Sequence, residues 1–150
     1  MWHLIKISVE RMPGTEDIPL PAYATPGSAG MDLLAALPDT ATIEPGRCRL
    51  IPTGLRVAIP VGYEGQVRPR SGLALKQGLT ILNAPGSIDS DYRGEIGVIL
   101  VNLSEAPVKI ERGQRIAQLI LARVERAEWA LNGSLTSTER GEEGFGHTGK

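Results

Sequence analysis

The chain has one cysteine, Cys48, two histidines, His3 and His147, and a single phenylalanine, Phe145, in 150 residues. A lone cysteine forms no internal disulfide, which points to a reducing compartment with Cys48 as a small core residue. Two histidines at opposite ends and one cysteine exclude a Cys/His zinc site within one chain. A Cys–His or Ser–His catalytic pair would have to recruit His147, which lies in a segment that reads as unanchored. No apolar run approaches the ~18 residues of a membrane span. The start, MWHLIKISVE, has neither a basic leader nor a long apolar block, so no signal peptide is expected. Net charge is −1, too little for a field that gathers nucleic acid or an anionic membrane. No glycine-rich phosphate loop ends in Lys-Ser/Thr, and no dinucleotide fingerprint follows a strand. The expectation is a soluble cytoplasmic protein that binds neither nucleic acid nor membrane.

What is present is glycine, proline and aliphatic residues: Gly 18 and Pro 11 against 4% aromatics. A helix bundle tolerates few such breakers, so the composition predicts many turns around a Val/Ile/Leu/Ala core. Strand patterns fall at LIKISV (4–9), MDLLAA (31–36), TI (42–43), the second half of CRLIPTGLRVAI (48–59) and GQVRPR (65–70). They continue at LTILN (79–83), EIGVILVNL (95–103), VKI (108–110) and QRIAQLILARV (114–124). SGLALKQGL (71–79) is the one helical turn, with Ser71 as its cap and Gly78 as its end. QRIAQLILARV is largely apolar on both faces, which suits a strand covered on both sides, as by a neighbouring subunit. From Leu131, NGSLTSTERGEEGFGHTGK has five glycines and no periodicity, the pattern of a mobile arm. The fold class expected is all-β, a jelly-roll-like barrel or sandwich, with residues 1–130 as the domain and 131–150 as the arm.

Acids, arginines and one isolated aromatic remain as candidate chemistry. GSIDSDYRGE (86–95) lies between two aliphatic runs and carries Asp89, Asp91, Tyr92 and Arg93, more than a reversal of direction needs. In PRSGLALKQGL, Arg70 leads into Ser-Gly and a helix start, where backbone N–H groups beside a guanidinium suit an anion. Phe145 stands between two glycines with no local core to join, so it must pack on another subunit or a flat ligand. Taken singly, Asp89 could cap a turn, Arg70 could make a surface ion pair, Phe145 could latch the tail and Asp32 could be a loop acid.

Taken together, five segments resemble, in order and spacing, the five motifs of the trimeric dUTPases. They are AGMDLLAA (29–36), PRSGLALKQGL (69–79), NAPGSIDSDYRGEIGV (83–98), RGQRIAQLIL (112–121) and RGEEGFGHTG (140–149). The resemblance spans Ala22 to Gly149. It implies a β jelly roll assembled as a homotrimer, each active site built from three subunits, with the arm closing a neighbour's site. The implied reaction splits dUTP into dUMP and pyrophosphate, limiting uracil in DNA and supplying dUMP for thymidylate synthesis.

The resemblance also implies roles. Asp89 matches the general base that activates water against the α-phosphorus. Asn83 and nearby backbone pair with uracil beside Ile88, and Tyr92 lies under the deoxyribose, leaving no room for a 2′-hydroxyl. Arg70, Ser71, Gly72 and Gln118 hold phosphates. From the arm, Arg140 and Thr148 contact phosphates and Phe145 stacks over the uracil, with Gly146 and His147 also binding substrate. Mg²⁺ sits mainly on phosphate oxygens, with Asp32 reaching it through water. Asp91 shapes the loop, and Arg115 serves the site or subunit packing. Glu143 stands where the family has glycine and is expected to point outward; Ser87 replaces a residue that is often branched. The alternatives are a dCTP deaminase, or its bifunctional relative, and a non-catalytic nucleotide-binding module. A deaminase needs an acid–base glutamate near the base, where this hairpin has only aspartates until Glu95. A retired enzyme has no need of Asp89.

Overall fold

A computed structural model of the chain describes residues 4–145. Its strands are β1 (Ser8–Arg11), β2 (Met31–Leu34), β3 (Ala41–Ile43), β4 (Cys48–Ala58) and β5 (Tyr63–Arg68), followed after the helix by β6 (Leu79–Ile81), β7 (Gly86–Ile88), β8 (Glu95–Asn102), β9 (Val108–Ile110) and β10 (Arg115–Arg123). The helix, α1 (Ser71–Gln77), buries none of its residues. The strands form two antiparallel four-stranded sheets, β1-β4-β8-β6 and β2-β10-β5-β7, and a small pair, β3-β9. The arrangement is sandwich-like and not a closed barrel. Among the described residues no helix is long and apolar enough to cross a membrane.

Alternation explains the core. In β8, Ile96, Val98 and Leu100 turn inward and are at most 2% exposed, while Gly97 and Ile99 face the other way. From the facing sheet come Leu33, Ile116, Ala117 and Leu119, and Ile43 and Ile110 extend the same cluster. Burial of this aliphatic surface is the main stabilising term.

Several expectations are corrected. β1 lies at Ser8–Arg11, later than LIKISV, because its register is set by pairing with β4, Ser8 opposite Ala58 and Arg11 opposite Leu55. β4 runs the whole length of CRLIPTGLRVA. Pro52 is accommodated because the ladder to β8 slips between Pro52 and Arg56, so the missing donor falls at an irregularity. Gly54 sits in that slip with φ 73, and a Cβ there would meet Thr15 at 2.8 Å. Cys48 is exposed, not a core residue. Ser71 does not cap α1: Arg70 takes the extended cap conformation with no side-chain cap bond. Gly78 ends the helix in the left-handed region as expected (φ 64).

β10 is partly covered on both faces. Ile116, Ala117 and Leu119 are buried in the core, with a register irregularity between Arg115 and Ala117, while Gln118, Ile120, Leu121 and Ala122 remain half-buried. Beyond β10, residues 124–145 form no helix or strand and leave Trp129, Leu131 and Leu135 at least 90% exposed.

Candidate active site

Two clusters form, at opposite edges of the sheet β2-β10-β5-β7, the first of them lined also by β6 and β8 of the other sheet. The first lies at its β7 edge. Asn83, Ile88, Asp89 and Tyr92 line a cavity of about 170 Å³ whose floor includes Val67 and Ile96. Gly86 is buried, and a methyl there would press on the Asn83 amide at 3.3 Å, so the glycine leaves the amide its place. Asp89 is exposed just beyond the last residue of β7. The turn after it is locked by its own chain: the Tyr92 N–H donates to the Asp89 carbonyl at 3.2 Å. Arg93 Nη1 donates to the Ser90 and Tyr92 carbonyls at 2.7 and 2.8 Å. Arg93 is thus a brace for the loop. Glu95 lines the same cavity, but one carboxylate oxygen accepts the Gly54 N–H at 2.8 Å, a bond that ties β8 to the irregular part of β4.

The second cluster lies at the β2 edge. Asp32 of β2, Gln118 of β10 and Arg68 of β5 are register partners in one row across three strands, so their side chains leave the same face. Arg70, at the end of the segment following β5, reaches back over this row. Its Nε stands 3.0 Å from Asp32 Oδ1, and its Nη1 donates to the Arg115 carbonyl at 3.5 Å. Arg115 Nε is 3.7 Å from Asp32 Oδ2. The Arg70 contact is an ion pair by distance without hydrogen-bond alignment, for Asp32 Oδ1 is buried and accepts no hydrogen bond. Ser71 and Gly72 are exposed at the start of α1. Motifs far apart in sequence therefore meet here, with guanidinium groups in excess over carboxylates.

The two clusters do not touch. No hydrogen bond or ion pair joins them among the described residues. β2 and β7 are separated by two intervening strands, about 14 Å across at the usual strand spacing. Ile88 pairs opposite Gly65, whose partner on β10 is Leu121, three residues from Gln118, which adds about 10 Å along the strands. The arm residues are not brought to either cluster. Arg140 Nε donates to the nearby Glu143 carbonyl at 2.9 Å, Glu143 is exposed, and Phe145 is fully exposed with φ 51. Gly146, His147 and Thr148 lie outside the described residues.

Sequence reasoning missed Arg68, Gly94 and the bond made by Glu95. Arg68 belongs to the row only through strand register, which no local pattern reveals.

Fold and site define a class: an antiparallel β protein with a pocket for a small polar group and an arginine cluster for an anion, the equipment of a nucleotide-handling enzyme. A family model described as dUTPase matches residues 16–149. The deoxyuridine 5'-triphosphate nucleotidohydrolase of Desulfotalea psychrophila is 62% identical over 135 residues, 90% of each chain. That of Methylocella silvestris is 56% identical over 147 residues, 97% of this chain and 92% of that one. Among solved structures, a Staphylococcus bacteriophage 80alpha dUTPase mutant with dUpNHpp superposes with a TM-score of 0.86 at 26% identity, covering 97% of this chain and 99% of that one. A mutant dUTPase of phage phi11, described with a structural Mg(II) ion, shares the fold with a TM-score of 0.78 at 23% identity, covering 89% and 100%. The chain belongs to the dUTPase family.

Proposed function

We propose that this chain hydrolyses dUTP to dUMP and pyrophosphate in sites shared between the subunits of a homotrimer. The cavity bounded by Asn83, Asp89 and Tyr92 carries the reading. It offers an amide for a pyrimidine edge, an aromatic ring at the sugar's place and a carboxylate on the rim. Fixed polar groups in such a pocket reject a mismatched base because they would be left unpaired.

Asp89 takes a proton from water as the water oxygen bonds to the α-phosphorus. The bond from that phosphorus to the bridging oxygen breaks, and pyrophosphate leaves with the electron pair. Transfer chemistry of this kind needs positioning and charge compensation more than covalent help. Arg70, Ser71, Gly72 and Gln118 supply these for the phosphates. Since they stand far from Asp89 within one chain, a complete site takes Asp89 from one subunit and Arg70 from another.

Residues 131–150 act as an arm over a neighbour's site, bringing Arg140 and Thr148 to phosphates, Phe145 to the base, and Gly146 and His147 to the substrate. The exposed Trp129, Leu131, Leu135 and Phe145 support this, since apolar side chains in water gain by covering a partner. The half-buried outer residues of β10 support the trimer in the same way.

Mg²⁺ fits as an ion held by phosphate oxygens and water. Among the described residues no group of three His, Cys, Asp or Glu could cage a metal. Asp32, with Oδ1 buried and accepting no hydrogen bond, is the carboxylate available to a metal-bound water, its charge already shared with Arg70 and Arg115. Bound there, the ion would neutralise phosphate charge. We place the protein in the cytoplasm, with the deoxynucleotide pool it acts on.

Replacing Asp89 with Asn tests the assignment. Steady-state pyrophosphate release should fall about 10²–10⁴-fold, with dUpNHpp affinity retained. Affinity lost together with rate would make Asp89 a structural residue.

A further inference from the structure

We propose that Gly94 is a specificity-determining residue: by having no side chain it lets the Tyr92 ring stand where it meets the sugar of the nucleotide. The inference rests on the reading of Tyr92 as the surface under the deoxyribose and adds what holds it there.

A Cβ built on Gly94 would lie 2.2 Å from the Tyr92 hydroxyl oxygen, 2.4 Å from Cζ and 2.8 Å from Cε2. The ring is thus folded back over the glycine. Gly94 is not among the glycines with positive φ, so no left-handed backbone demands a glycine there. The glycine is required by the ring alone. The ring's far end is held as well, since the Tyr92 hydroxyl donates to the Glu95 carbonyl at 2.9 Å.

That carbonyl is itself anchored. The Glu95 carboxylate accepts the Gly54 N–H at 2.8 Å, and the next carbonyl, Ile96, accepts from Thr53 Oγ1 at 2.7 Å, with Thr53 only 1% exposed. The turn on the other side is braced by Arg93. With backbone fixed on both sides, an alanine at 94 moves the side chain that can yield, the tyrosine ring. It must withdraw by about 1 Å to reach an ordinary contact distance, breaking the bond to Glu95. Such a shift acts on the face that distinguishes a hydrogen from a hydroxyl at the sugar 2′ position. It leaves the base-pairing amide and the phosphate cluster untouched.

The test compares kcat/KM for dUTP and for UTP in the wild type, Gly94→Ala, Tyr92→Ala and the double variant. The preference for dUTP over UTP should fall about tenfold or more in Gly94→Ala, the scale on which a pocket excludes one added hydroxyl. Tyr92→Ala should lower it too, and the double variant should be no worse than Tyr92→Ala, because the ring through which Gly94 acts is gone. If Gly94→Ala lowers activity on both substrates equally while Tyr92→Ala lowers the preference, or if the two losses add, the inference is overturned and the reading of Tyr92 stands. A preference unchanged by Tyr92→Ala overturns that reading and this inference with it. Should Gly94→Ala fail to fold, Tyr92→Phe decides: it keeps the ring, loses the bond to Glu95, and must lower the preference; an unchanged preference refutes the proposal.

Discussion

Asn102→Ala should cost more stability than any other single polar truncation in the described core, and the network around it says how much. The side chain is 0% exposed, yet all its hydrogen-bonding groups are engaged. Nδ2 donates to the Ile43 carbonyl at 2.9 Å and to the Ala106 carbonyl at 2.8 Å. Oδ1 accepts the Ser104 N–H at 2.9 Å and the Ser104 hydroxyl at 2.7 Å. One residue thereby ties β3, the end of β8 and the loop at 103–106 together. That loop in turn carries the end of α1, through the Leu103 N–H on the Gly78 carbonyl at 2.9 Å. Each of the four bonds contributes about 1 kcal/mol net. The expected loss is about 3–5 kcal/mol, a large part of the 5–15 kcal/mol typical of a domain. Urea unfolding at fixed protein concentration should show the midpoint about 2 M lower with the slope unchanged. A drop below about 0.5 M would show that water replaces these bonds freely, and the reasoning would fail.

Two further outcomes follow. The Arg112 guanidinium bonds to Asp17 at 2.6 Å and holds its carboxyl below the ordinary value of 3.8. A folded-state pKa below the unfolded one contributes stability above that ordinary value and loses it as pH falls through the folded value, so Asp17→Asn should flatten the acid limb of a Tm-against-pH curve; parallel curves would contradict this. Deleting residues 139–150 should leave the trimer intact by sedimentation yet abolish rapid pyrophosphate release. A truncated protein as active as the whole chain refutes the role of the arm.

Much of the fold was legible because burial on one face leaves a period of two. β8 and β10 show this, each long and aliphatic, and the helix end at Gly78 followed from backbone preference. The errors have a common cause in pairing partners distant in sequence. β1 is displaced from LIKISV by its register with β4. β4 runs through Pro52 because the ladder slips there. β7, three residues long, exists as a strand only because β5 lies beside it. At the site, Asn83, Asp89 and Tyr92 are close in sequence, and the structure brings them to one cavity. Asp32, Arg70 and Gln118 come from three separate segments, and only sheet order joins them. The bonds from Glu95 to Gly54 and from Asn102 to Ile43 cross 41 and 59 residues, so no local pattern announces them.

The sharing of each site between chains is tested most directly by mixing two inactive variants, Asp89→Asn and Arg70→Ala, in equal amounts, unfolding them together and refolding. If Asp89 and Arg70 of one site come from different subunits, random assembly yields intact sites, and about a quarter of wild-type turnover returns. If one chain supplied both, every site in the mixture would carry a defect and pyrophosphate release would stay at the level of the separate variants.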